Sequence, residues 1–96
     1  MDADQLHRIG KALADPRRLE ILEHIAGSGE IACAKLCSQF PVSQATMSHH
    51  LKELANAGLV KARREAKFQF YRFERQTWAK YLTEMRKRIP VRSRKA

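Results

Sequence analysis

The sequence predicts a mainly α-helical fold with one small β-hairpin, and three observations predict it. Apolar residues recur at helical spacing in five separate stretches. Between Leu59 and Phe73 that period gives way to alternation around a charged break. Capping residues and prolines punctuate the helical stretches at their ends. Ninety-six residues make one domain, placed at 1–89, with a basic tail at 90–96. A chain this short buries a marginal core, so pairing with a second copy would stabilise it.

In chain order, Leu6, Ile9 and Leu13 share one side of a first helix expected from about Asp4. Asp15-Pro16 supplies an N-cap and a proline at the first helical position of a second helix. Its expected buried face is Leu19, Leu22, Ile25 and Ala26, and Gly27-Ser28-Gly29 closes it. Arg17 and Arg18 lie in its first turn, where cations are unfavourable, so at least one is expected to meet a phosphate or an acid. Ala32 to Gln39 reads as a short helix ended by Pro41.

Ser43 to Leu54 is the organising stretch. Met47, Leu51 and Leu54 recur at i, i+4 and i+7 and form an apolar stripe. Gln44, Ala45, Ser48, His49 and Lys52 fall on the opposite side, a polar face without acids. Ser43 is the expected N-cap, with Val42 as a hydrophobic staple on Met47. Gly58 is the expected left-handed residue of a Schellman motif in which Leu59 meets Leu54. A short helix, a tight Phe40-Pro41-Val42 turn and this capped helix have the plan of a helix-turn-helix.

Leu59–Arg64 and Phe68–Phe73 then read as a hairpin whose tip carries Arg63, Arg64 and Lys67. A last helix, Gln76 to Ile89, lines up Trp78, Leu82, Met85 and Ile89, with Tyr81 flanking, and Pro90 ends it.

The formal charge is +9, and residues 51–96 hold 14 Lys and Arg against 4 acids. That asymmetry points to a polyanionic partner, nucleic acid before membrane. No stretch has the run of apolar residues a membrane span needs, and no signal-peptide core stands at the N-terminus. The expected location is the cytoplasm, where two cysteines stay thiols. No nucleophile, base and orienter stand at a recognisable spacing, no zincin pair occurs and no glycine-rich phosphate loop is present, so the chain reads as a non-enzyme without cofactor.

LADPRRLEIL, VSQATMSHHLKELANAGLV and REAKFQFYRF together resemble the winged helix-turn-helix repressors of the ArsR/SmtB family, over roughly Leu13 to Phe73. The resemblance implies a homodimer paired through its first and last helices, with Leu6, Ile9, Leu13, Trp78, Tyr81, Leu82 and Met85 at the interface. It implies that Gln44, Ala45, Ser48 and His49 face base edges of a palindromic double-stranded operator. Ser43, Thr46, Lys52, Arg63, Arg64 and Lys67 are the expected phosphate and wing contacts. Ala45 stands where a polar residue is common and could read a thymine methyl. Ala66 replaces the usual glycine of the wing turn. Members of the family often sense metals through a Cys-x-Cys pair, whose positions here are Ala32 and Ala34.

Cys33 and Cys37 share one helix face at i, i+4, and two thiols fall short of the four donors of a closed zinc site. They are expected to be packing residues, with oxidation or alkylation as the alternative thiol switch; no metal site is expected. The last helix lacks the paired His and acids of other metal sensors in the family. His49 and His50 are adjacent and point about 100° apart on a helix, so they cannot chelate one ion. The function expected is a sequence-specific repressor with an unread effector; the competing class is a winged helix used for non-specific nucleic-acid binding or protein interaction.

Overall fold

A computed structural model describes residues 1–92 of the chain. Its elements run α1 (Ala3–Leu13), α2 (Pro16–Ala26), β1 (Glu30–Ala32), α3 (Cys33–Gln39), α4 (Gln44–Asn56), β2 (Val60–Glu65), β3 (Phe68–Phe73) and α5 (Arg75–Arg88). The expected basic tail falls outside the described residues from position 93 onward. Among the described residues, no helix is long and apolar enough to cross a membrane.

Local chemistry explains most of these boundaries. Asp2, Asp15 and Ser43 cap α1, α2 and α4 by accepting from the backbone N–H three residues on, at 2.8, 2.9 and 3.1 Å. Pro16 opens α2 as anticipated. At the end of α4 the Leu59 N–H donates to Leu54 O (3.0 Å) and the Gly58 N–H to Ala55 O (3.0 Å), the Schellman pattern, with Gly58 at φ +80°. A Cβ at Gly58 would sit 2.8 Å from Gln5 Nε2 of α1, which itself donates to Ala57 O at 3.2 Å. The first helix is thereby fastened to the far end of α4.

Three expectations are corrected. The hairpin is part of a three-stranded antiparallel sheet of order β1-β3-β2. Glu30 pairs with Arg72 and Ala32 with Phe70, so Ala32 belongs to a strand and α3 begins at Cys33. On α2, Leu19 is 40% exposed and Ala26 is exposed, whereas Ile21 is buried beside Leu22 and Ile25. Residues 21, 22 and 25 share one sector at about 100° per residue, and Leu19 and Ala26 both lie beyond its Leu22 edge. On α5 Tyr81 is the buried residue, Trp78 and Met85 are half-buried, and Leu82 and Ile89 are 37% and 69% exposed.

The core gathers Ile9, Ile21, Ile25, Leu36, Met47, Leu51, Leu54 and Leu59 between the helices and one face of the sheet. Alternation along the strands turns Ile31, Val60 and Tyr71 toward that core. Lys61, Arg63, Phe70 and Arg72 lie on the opposite face of the sheet.

Candidate nucleic-acid interface

Helix α4 presents one buried and one open side. Met47, His50, Leu51 and Leu54 are buried. Gln44, Ala45, Ser48, His49 and Lys52 are all exposed, as are Ser43 and Thr46 at the start. Ser43 Oγ both accepts from the Thr46 N–H and donates to Thr46 Oγ1 at 2.9 Å, so the first turn is tied before any ligand arrives. The Lys52 cation and several hydrogen-bonding groups face outward with no carboxylate among these residues, which suits a surface of phosphates and base edges.

The inner side of α4 is held by a residue whose partner was left open in the sequence. Arg18 donates from Nε to His50 Nδ1 at 3.4 Å and from Nη1 to Lys11 O at 3.5 Å. It thereby joins the end of α1 and the start of α2 to α4. Arg17 instead pairs with Glu20 at 3.3 Å and lies 6.0 Å from the Phe40 ring. Burial holds the His50 imidazole below its ordinary value; Asp15 opposes that shift, while Arg18, His49 and Arg17 reinforce it.

A neutral His50 accepts from Arg18, and a protonated one would present N–H to guanidinium. Because the folded-state value is the lower one, the unfolded chain binds the proton first as pH falls below about 6.5. The stability that neutral His50 contributes should be intact above that point and decline below it, down to its depressed folded value. The advantage of wild type over His50→Gln in urea denaturation is expected to shrink between about pH 7.5 and 5.5. A constant or growing advantage would remove His50 from this role.

The wing tip is the turn at Ala66-Lys67, with Ala66 at φ +54° where glycine is the residue most at ease. Arg64 Nε donates to Ala66 O at 3.3 Å, bracing the turn. Arg64 and Gln69 are paired in register and project on the core-side face, toward α4. Together with Gln44 and Ser48 of α4, Cys33 and Cys37 of α3, and Lys67 and Phe68 of the wing, they line a groove of about 480 Å3. Arg63, the neighbouring residue, projects from the opposite face and is bound to Glu30 and Glu65. Gln69 and Phe68 were missed in the sequence, although strand alternation counted back from the turn would have put Gln69 beside Arg64.

Comparison with known proteins meets this geometry. Residues 13–63 match a family model described as a helix-turn-helix domain. The chain is 37% identical to the arsenical resistance operon repressor of Staphylococcus xylosus, covering 79% of this chain and 72% of that protein. It is 44% identical to an uncharacterised HTH-type transcriptional regulator of Methanocaldococcus jannaschii, over 66% of this chain and 71% of that one. Among solved structures it resembles the homodimeric winged helix-turn-helix DNA-binding domain of a protein from Mycobacterium bovis described as a possible ArsR-family transcriptional regulator. That match has a TM-score of 0.72 and 34% identity and covers 97% of this chain and 87% of the other. The chain belongs to the ArsR/SmtB family of winged helix-turn-helix transcriptional regulators.

In this ArsR/SmtB chain the two cysteines are among the residues lining the groove, both half-buried against the core. Burial is the main cause that raises the Cys33 thiol, and the neighbouring Cys37 adds to it. A raised thiol holds less thiolate, the form that attacks oxidants and alkylating agents and ligates metals. Among the described residues no group of three or more His, Cys, Asp or Glu is gathered to hold a metal ion.

Proposed function

We propose that the protein is a homodimeric, sequence-specific repressor of the cytoplasm that binds a palindromic DNA operator and releases it when an effector acts. The observation that carries this reading is the acid-free outer face of α4, with Gln44, Ala45, Ser48 and His49 open beside a wing that bears Arg64 and Lys67. A module that needed only phosphates would gain nothing from an amide and an imidazole aimed outward. Two such helices related by two-fold symmetry enter successive major grooves, with half-sites about one turn, roughly 10 bp, apart or a small multiple of it. Ser43, Thr46, Lys52, Arg64 and Lys67 contact phosphates. Arg63 does not, being bound to Glu30 and Glu65 on the opposite face of the sheet. Cys33 and Cys37 are packing residues: both are half-buried against the core, and burial raises the Cys33 thiol.

The test is to recover preferred duplexes from a random-sequence library and compete them against random DNA. Gln44→Ala and His49→Ala should each relax preference at defined base positions, by about 1–3 kcal/mol. Equal weakening on every sequence would make these residues phosphate contacts and favour a non-specific module.

A further inference from the structure

One cation of the wing is held away from the groove. Arg63 donates from Nε to Glu30 Oε2 at 2.9 Å, from Nη2 to Glu30 Oε1 at 2.7 Å, and from Nη1 to Glu65 Oε1 at 2.6 Å. Its guanidinium also lies 4.6 Å from the centroid of the Phe70 ring. The bonds hold Glu30 below the usual carboxylate range and push Arg63 further up. One side chain on β2 thus engages a fork on β1, a carboxylate on its own strand and a ring on β3. Two acids already neutralise it, and its face of the sheet is opposite to the one that forms the groove with Gln44 and Ser48.

Such exposed charges add little to global stability. A bidentate fork stacked on a ring fixes orientation instead, because both its planes are specified. The orientation at stake is that of the wing. Strand β1 runs directly into α3, the helix before α4, while β2 and β3 lead out to Arg64 and Lys67. We infer that Arg63 is a positioning residue: with Glu30 and Phe70 it locks the wing to β1, so that Arg64 and Lys67 meet the DNA backbone in register with α4. The inference rests on the DNA-binding reading above.

Charge alone predicts the opposite sign for one variant, which makes the test sharp. Removing an acid should tighten binding to a polyanion, whereas removing Glu30 from a clamp should loosen it. Binding of the full chain to a labelled duplex recovered from the random library would be measured against salt for wild type, Glu30→Gln, Arg63→Gln, Arg63→Lys and Arg64→Gln. Glu30→Gln, Arg63→Gln and Arg63→Lys are each expected to bind about threefold to tenfold more weakly, with the Glu30→Gln/Arg63→Gln double variant no worse than either single one. The salt slope should hold in Arg63→Gln and fall by about 1.8 in Arg64→Gln, the share of two phosphate contacts, one from each protomer of the dimer. In the Glu30→Gln background, Arg64→Gln should cost less than it does in wild type, an effect that simple loss of stability would not produce.

Amide hydrogen exchange of the free protein gives a readout that needs no DNA. Glu30→Gln and Arg63→Gln should speed exchange in β1 and the wing while leaving α4 unchanged. A salt slope reduced by about 1.8 in Arg63→Gln, two contacts per dimer, with Arg63→Lys and Glu30→Gln binding as well as wild type, would make Arg63 a phosphate contact and overturn the inference. Unchanged exchange in both variants would overturn it whatever the DNA result. Failure of wild type to prefer any duplex, with exchange still accelerated in the variants, would instead sink the operator reading and leave the clamp standing.

Discussion

Leu82→Glu should turn the protein into monomers and lower operator affinity by about two to four orders of magnitude, the gain that linking two modest binding events supplies. Leu82 is 37% exposed on α5, beside half-buried Trp78 and Met85, on a stripe that the described residues of one protomer leave partly open. Next to it, Leu6, Gly10, Ala14, Tyr81 and Met85 line an open, largely apolar cleft of about 500 Å3 between α1 and α5. In the proposed assembly these surfaces close on their two-fold copies. A glutamate at position 82 would then be desolvated without a partner, at a cost of several kcal/mol. Each monomer would keep α4 intact and bind one half-site weakly. Sedimentation and DNA titration on the same sample check both halves of the claim. A variant that remains dimeric and binds as wild type would move the interface elsewhere.

How much of this was legible in the sequence depended on how local each determinant is. Helix α4 was readable at both ends because Ser43, Gly58 and the Met47, Leu51, Leu54 stripe act within a few residues of one another. Strand β1 was not, because three residues carry no alternation and its hydrogen-bonding partners on β3 lie some forty positions away. The rotation of α2 depended on packing too: Leu19 and Ile21 are equally apolar, and only the surrounding helices and sheet decide which is covered. Arg18 was flagged as a cation in need of a partner. The partner proved to be a histidine ring 32 residues away and a carbonyl at the end of α1, which no local rule specifies. Among the wing cations the chain spells Arg63 and Arg64 alike, yet neighbours on a strand point to opposite faces. One therefore faces the groove, and the other meets Glu30.

Leu51→Ala tests the inner side of α4 as Gln44→Ala tests the outer one. Leu51 is fully buried, in one core with Met47, Leu54, Ile21 and Leu36. Truncation removes its apolar contacts and leaves a cavity that the neighbours fill only partly, for a loss of about 2–5 kcal/mol. Domains of this kind have about 5–15 kcal/mol in all, so the variant should melt on the order of 10–25 °C lower at matched protomer concentration. Its exposed residues are unchanged. At temperatures where it remains folded it should therefore choose the same bases as wild type and lose affinity evenly across sequences. Gln44→Ala should do the reverse, melting within about 0.5 kcal/mol of wild type while its preference relaxes. Leu51→Met, which keeps the volume, should cost less than about 1.5 kcal/mol. Were Leu51→Ala to melt like wild type, the stripe would not be packed. Were it to change the preferred bases, the outer face would not be a rigid reader: the core beneath α4 would then set which edges it meets as well as how firmly it meets them.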